Sequence, residues 1–224
     1  MSSDSGYQPT SRRPIADVFR RTAHGCTDLC VRLGVHPNTV SLGSVVAAAG
    51  AGVCFWLGGA HPILLIPAAL FCYLRLWMNM LDGMVALASG KASRWGEILN
   101  DLPDRVSDVL IFVGVAHSGL CQPFVAYWVA IAALLVAYVG TFGQAVGVQR
   151  EFSGVMAKPW RMVALHIGAW VLLGDLWWGD GDGRIGGTGW TWIDLAHLVV
   201  LIGCVQTVWL RLVRILAALR ARAG

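Results

Sequence analysis

Six runs of mostly apolar residues, each long enough to cross a bilayer, leave this chain few folds to choose from. They lie at about 38–58, 62–82, 96–117, 123–146, 160–178 and 191–213. Only 13% of the 224 residues are charged and 56% are hydrophobic, whereas a soluble domain carries about 25% charged residues. That is too little polar surface to coat a globule. The sequence therefore predicts an all-α integral membrane protein with six transmembrane helices. Its 11 Trp suit the headgroup level of a bilayer. No long linker separates the spans, so one membrane domain is expected over 14–215, between a disordered tail at 1–13 and a basic tail at 216–224.

The segment from Pro14 to Leu33 differs from the runs that follow. Ile15, Val18, Phe19, Thr22, Cys26, Leu29, Cys30 and Leu33 recur at helical spacing, while Arg12, Arg13, Arg20, Arg21 and Arg32 flank or face the other side. This pattern predicts an interfacial amphipathic helix whose basic face meets anionic headgroups. The polar residues before it do not read as a signal peptide. The six Cys read as small hydrophobes of the helices rather than as a zinc site.

Basic residues set the orientation. With the N-terminus inside, the inner segments collect most Arg and Lys, whereas the outer loops hold Arg184 among Asp175, Asp180, Asp182 and Asp194. The expected location is the inner (plasma) membrane, with both termini and the active site cytoplasmic. The net charge of +4 then reflects a membrane surface, not nucleic acid.

Charge inside membrane helices is costly and usually functional. Here it concentrates in two places. Arg75, Asn79 and Asp82 fall within about 60° of one another on the second span. Glu97, Asn100, Asp101, Asp104 and Asp108 share an arc of about 100° on the third. Carboxylates on one stripe repel unless cations sit among them, and oxygen ligands without His or Cys suit Mg2+ or Mn2+. The residues thus point to metal-assisted chemistry on a phosphate or diphosphate; interhelical hydrogen bonds or a proton path are the structural alternatives. Between the two helices, the small residues Gly83, Ala86, Ser93 and Gly96 would let a ligand approach, and Lys91 and Arg94 would neutralise phosphate oxygens. Arg150, Lys158 and Arg161, after the fourth span, suit an acceptor that itself carries a phosphate, such as glycerol 3-phosphate or an inositol phosphate.

Asn79, Asp82, Gly83, Ala86, Leu87, Gly96, Asn100 and Asp104 keep every spacing of the frame D-x2-D-G-x2-A-R-x8-G-x3-D-x3-D. In this the chain resembles the CDP-alcohol phosphatidyltransferases. It departs from them at three identities: Asn stands at the first and third Asp positions, and Leu87 stands for the Arg. The approach to the first span, Leu33 to Ser41, is similar to the family's L-G-x-x-P-N-x-[VI]-[TS], and Asp108 matches a further acid often found after the frame.

The resemblance implies a six-helix fold, usually a homodimer, and a dinuclear metal site with CDP held against the glycines. A small alcohol attacks the lipid-linked phosphate of CDP-diacylglycerol and expels CMP. Carried over by position, Asp104 is the general base, and Asn79, Asp82, Asn100 and Asp104 are the metal positions, with Asp101 a possible replacement ligand. Gly83, Ala86, Gly96, Arg75, Lys91, Ser93 and Arg94 would face the nucleotide and diphosphate, Arg75 partly replacing a missing cation. Arg150, Lys158 and Arg161 would face the acceptor. Two other readings compete. One is a catalytically impaired lipid- or nucleotide-binding membrane protein. The other is a UbiA-type prenyltransferase, because Asn100 to Asp108 also satisfies N-D-x-x-D-x-x-x-D.

Overall fold

The computed structural model describes residues 14–91, 94–179 and 182–223. The expected tail at 1–13 and Ser93 lie outside them, as do the side chains of Arg94 and Asn100. The described residues form seven helices: α1 (Pro14–Arg32), α2 (Pro37–Gly58), α3 (Leu65–Ala88), α4 (Arg94–Ala116), α5 (Pro123–Ala145), α6 (Lys158–Trp178) and α7 (Trp192–Ala223).

Local chemistry sets these limits. Proline stands in the first turn of α2, α5 and α6, where its missing N–H has no intrahelical partner to lose. Helix α3 ends at Gly90, whose φ of +65° lets the Lys91 N–H reach the Ala86 carbonyl at 3.0 Å. It therefore runs past the expected end at 82: the residues after Gly83 are helix formers, and nothing stops the helix before Gly90. Gly83 and Ala86 lie on that helix and not in a loop. Helix α7 likewise continues past 213 to Ala223, so the basic residues expected in a tail form its last turn, where cations are favoured.

Four segments are long and apolar enough to cross a membrane: 37–58, 62–88, 123–145 and 192–222. Helices α4 and α6, with 23 and 21 residues, have the length but not the composition. Their charges point at each other and at α3, as described below. Helix α2 packs against α3 and α4, α4 against α5, and α5 and α6 against α7; α6 also meets α3, which α1 packs against. Gly52 and Gly114 let α2 and α4 cross closely, since a Cβ on Gly114 would collide with the Gly52 backbone. Phe55, Phe112, Ile111, Met162, Leu165 and Leu172 fill the core. Apolar residues such as Val46, Ile202 and Trp209 face outward, as lipid requires. Helix α1 buries Ala23 against Val40, Leu81 and Val85.

Candidate functional site

The polar site lies where the second half of α3 meets the first halves of α4 and α6. Arg75, Asn79 and Asp82 follow one stripe of α3, one helical turn apart. Asp82 is buried and accepts a hydrogen bond from Ser41 Oγ of α2 at 2.6 Å. Asp104 is fully buried. Arg75 Nη2 lies 3.4 Å from its Oδ1 and donates to its backbone carbonyl at 3.2 Å. The Lys158 ammonium contacts Oδ2 of the same carboxylate and donates to Asn79 Oδ1 at 3.4 Å.

Asp108 is the hub of a buried triad. Its Oδ1 receives Arg75 Nη2 at 2.9 Å and its Oδ2 receives Arg161 Nη2 at 2.6 Å. Asp101, one turn before Arg105, pairs with Arg105 at 2.9 Å and with Arg150 at 2.7 Å.

Several expected roles change with these positions. Arg75 neither reaches an open diphosphate site nor extends to the interface. It is 0% exposed, because a guanidinium inside the bundle takes the nearest carboxylates, here Asp104 and Asp108. Arg161, expected at the acceptor, is held by Asp108 although it still lines the cavity described next. Asp101 faces two arginines. Lys91 is exposed just beyond the α3 cap. A Cβ on Gly83, next to Asp82, would meet open space, so a ligand can come close there.

A cavity of about 340 Å³ opens beside this cluster, among α4, α5, α6, α7 and the loop from 146 to 157. Arg105, Arg150, Lys158, Arg161 and Arg211 line it, with Asp101 and Glu151. Lys158 thus links the cavity to Asp104. Glu151 lies in the loop and its carboxyl titrates below the usual range. Burial alone would raise it, but the N–H of Ser153 and the Arg214 guanidinium more than offset that. Sequence reasoning missed Ser41, Arg105 and Arg211 as site residues. Arg211 sits in an apolar run and had been counted only toward orientation, although an intramembrane arginine is itself a signal of a site.

No family model matches the chain. Its fold is that of a membrane-embedded helical transferase, as the known proteins it resembles make clear. It is 26% identical over 178 residues to the phosphatidylinositol phosphate synthase of Mycobacterium marinum, covering 72% of this chain and 68% of that protein. It is 26% identical over 163 residues to the archaetidylinositol phosphate synthase of Pyrococcus horikoshii, covering 73% of this chain and 80% of the relative. Among solved structures, it matches Mycobacterium tuberculosis phosphatidylinositol phosphate synthase with CDP-DAG bound. The TM-score is 0.70 at 19% identity, over 87% of this chain and 94% of that one. The same enzyme in complex with manganese and citrate also matches with a TM-score of 0.70, at 20% identity, over 86% and 88% of the two chains. The homologues and structural neighbours are CDP-alcohol phosphatidyltransferases, enzymes that transfer substituted phosphate groups. Their names speak of inositol phosphate, not of glycerol phosphate.

The residues of this chain fit a carboxylate-rich pair of metal ions poorly. Among the described residues, no three His, Cys, Asp or Glu side chains gather closely enough to hold a metal. Two of the four frame positions carry amides. An ammonium already touches the carboxylate of Asp104 and the amide oxygen of Asn79. Two unit charges of like sign 4 Å apart repel by about 4 kcal/mol at an effective dielectric of 20, and a divalent ion doubles that.

Proposed function

We propose that this chain transfers a phosphatidyl group from CDP-diacylglycerol to a small alcohol that carries a phosphate, such as an inositol phosphate, and releases CMP. The observation that carries this reading is the arginine-lined cavity joined by Lys158 to Asp104. Guanidinium groups match phosphate oxygens in bidentate fashion, and Arg105, Arg150 and Arg211 offer that chemistry at the cavity wall. An acceptor phosphate held there would direct its hydroxyl toward Asp104.

The reaction follows from that placement. Asp104 accepts the hydroxyl proton as the oxygen attacks the lipid-linked phosphorus. The bond from that phosphorus to the CMP oxygen breaks, and CMP leaves with the electron pair. Gly83 gives the nucleotide backbone access near Asp82, and Lys91, with Arg94 on the adjoining helix, supplies positive charge at the mouth. Arg75 and Arg161 position Asp104 and Asp108. All six long helices α2–α7 are read as spanning, with both termini and the site on the cytoplasmic side; the distribution of basic residues supports this.

Purified protein with CDP-diacylglycerol and a panel of alcohols tests the proposal. CMP release should need an alcohol and should be fastest with an inositol phosphate. Release with neutral alcohols alone would remove the role given to the arginine cavity. Binding of CDP without release under any condition would favour a nucleotide-binding protein. Turnover of a prenyl diphosphate in place of CDP-diacylglycerol would favour the prenyltransferase reading.

A further inference from the structure

Lys158 stands in an unusual place. It begins α6, with Pro159 behind it in the first turn, and its ammonium reaches the first and last positions of the frame, Asn79 on α3 and Asp104 on α4. We propose that this ammonium is a resident cation of the phosphate site, standing where one of two metal ions would otherwise bridge the two helices, so that the chain takes at most one divalent ion.

The charges agree with this. Asn at 79 and at 100, where the frame has Asp, removes two negative charges, which is the charge of one divalent ion. The neighbouring acids are committed to internal cations: Asp108 to Arg75 and Arg161, Asp101 to Arg105 and Arg150. Asp82, bonded to Ser41 and next to the open space over Gly83, is where a single divalent ion would bind. The amides are then an adjustment to the lysine rather than decay of the site. A full set of carboxylates around an ammonium would leave excess negative charge buried, and amides still offer carbonyl oxygens to an N–H donor. Lys158 also lines the arginine cavity, so one side chain can hold Asp104 and face an incoming phosphate.

The inference rests on the proposed reaction only in using CDP as the probe. The test counts Mn2+ bound to the detergent-purified full chain, by loss of the free-ion paramagnetic resonance signal, with and without CDP. Nucleotide binding is measured separately by dialysis. The parent should take no more than one ion in either condition. The triple variant N79D/N100D/K158M, which restores the carboxylates and removes the ammonium, should take one more than the parent. Where the triple variant fails to fold, N79D/K158M serves with the same expectation. Two ions bound by the parent would overturn the proposal, and so would a folded variant that gains none. Failure of the parent to bind CDP would count against the transfer reaction, while the ion count without nucleotide still decides the question of the lysine.

Discussion

Asp194 and Asp104 are both fully buried, at opposite ends of the bundle, and their partners differ in kind. Asp194 sits in the first turn of α7. Its Oδ1 accepts from the N–H of Gln122 at 2.6 Å and its Oδ2 from the N–H of Thr191 at 2.9 Å. The Thr191 hydroxyl donates to the Leu120 carbonyl at 2.6 Å and accepts from the Asp194 N–H at 3.3 Å. This is a reciprocal cap that also fastens the α4–α5 loop. Asp104 instead meets side-chain cations, Arg75 from α3 and Lys158 from α6. Backbone donors cannot leave, whereas long cationic side chains can share themselves with a phosphate. At the site end, moreover, Arg75 Nε and Nη1 and Arg161 Nε have no hydrogen-bond partner among the described residues. The far end is satisfied structure; the site end holds buried donors in reserve.

Neutralising each carboxylate in turn should separate the two ends. Asp104→Asn keeps the shape but cannot take a proton, so CMP release should fall by about 10² to 10⁴ while the protein stays folded. Near-normal turnover in a folded variant would move the base elsewhere, with Asp101 and Asp108 next to be tried.

Asp108→Asn should act on stability first. It leaves Arg75 and Arg161 buried without their shared counter-charge, a loss of about 3 to 5 kcal/mol. The triple change R75L/D108L/R161L sharpens the point, because apolar replacement of a buried ion triad is often neutral or better for folding. Thermal unfolding in detergent should recover with the triple change, but transfer should not. Recovery of both would reduce the triad to scaffolding.

Asp194→Ala removes the cap at the far end. Its expected cost is about 1 to 2 kcal/mol of stability, with transfer per folded molecule unchanged. A selective loss of transfer there would dissolve the distinction between the two ends.

Much of this was legible in the chain itself. Apolar runs and proline positions gave the helices to within a few residues, because a membrane segment must satisfy its own backbone. The spacing of Asn79, Asp82, Gly83, Gly96 and Asp104 gave the ligand frame. What periodicity cannot give is which neighbouring helix a side chain meets. Arg75 shares a stripe with Asn79 and Asp82, yet it bonds across to Asp104 and Asp108 on α4. Lys158 and Arg161 share one helical turn, yet Lys158 goes to Asp104 and Arg161 to Asp108. These pairings depend on how α3, α4 and α6 are set against one another. For the same reason Ser41 showed only as part of a motif, and its bond to Asp82 emerged only in three dimensions.

The smallest expected effect concerns the loop that walls the cavity. Glu151 accepts from the Ser153 N–H at 2.9 Å, and Arg214 of α7 lies 3.7 Å away, so the carboxylate ties the loop to the last helix. Its folded pKa is depressed below the ordinary 4.5. A depressed carboxylate adds stability that is present above the unfolded value and lost as pH falls through the folded one. Glu151→Gln keeps an acceptor for Ser153 but loses the charge. The variant should therefore be slightly less stable than the parent at pH 7, by less than about 1 kcal/mol since the pair is partly exposed and screened. The difference should shrink in high salt and vanish once the pH is well below 4.5. Unfolding curves of the two proteins across pH 3 to 7, at low and high salt, measure it. A gap that persists at the acid end would assign the loop's order to the shape of the side chain and not to its charge.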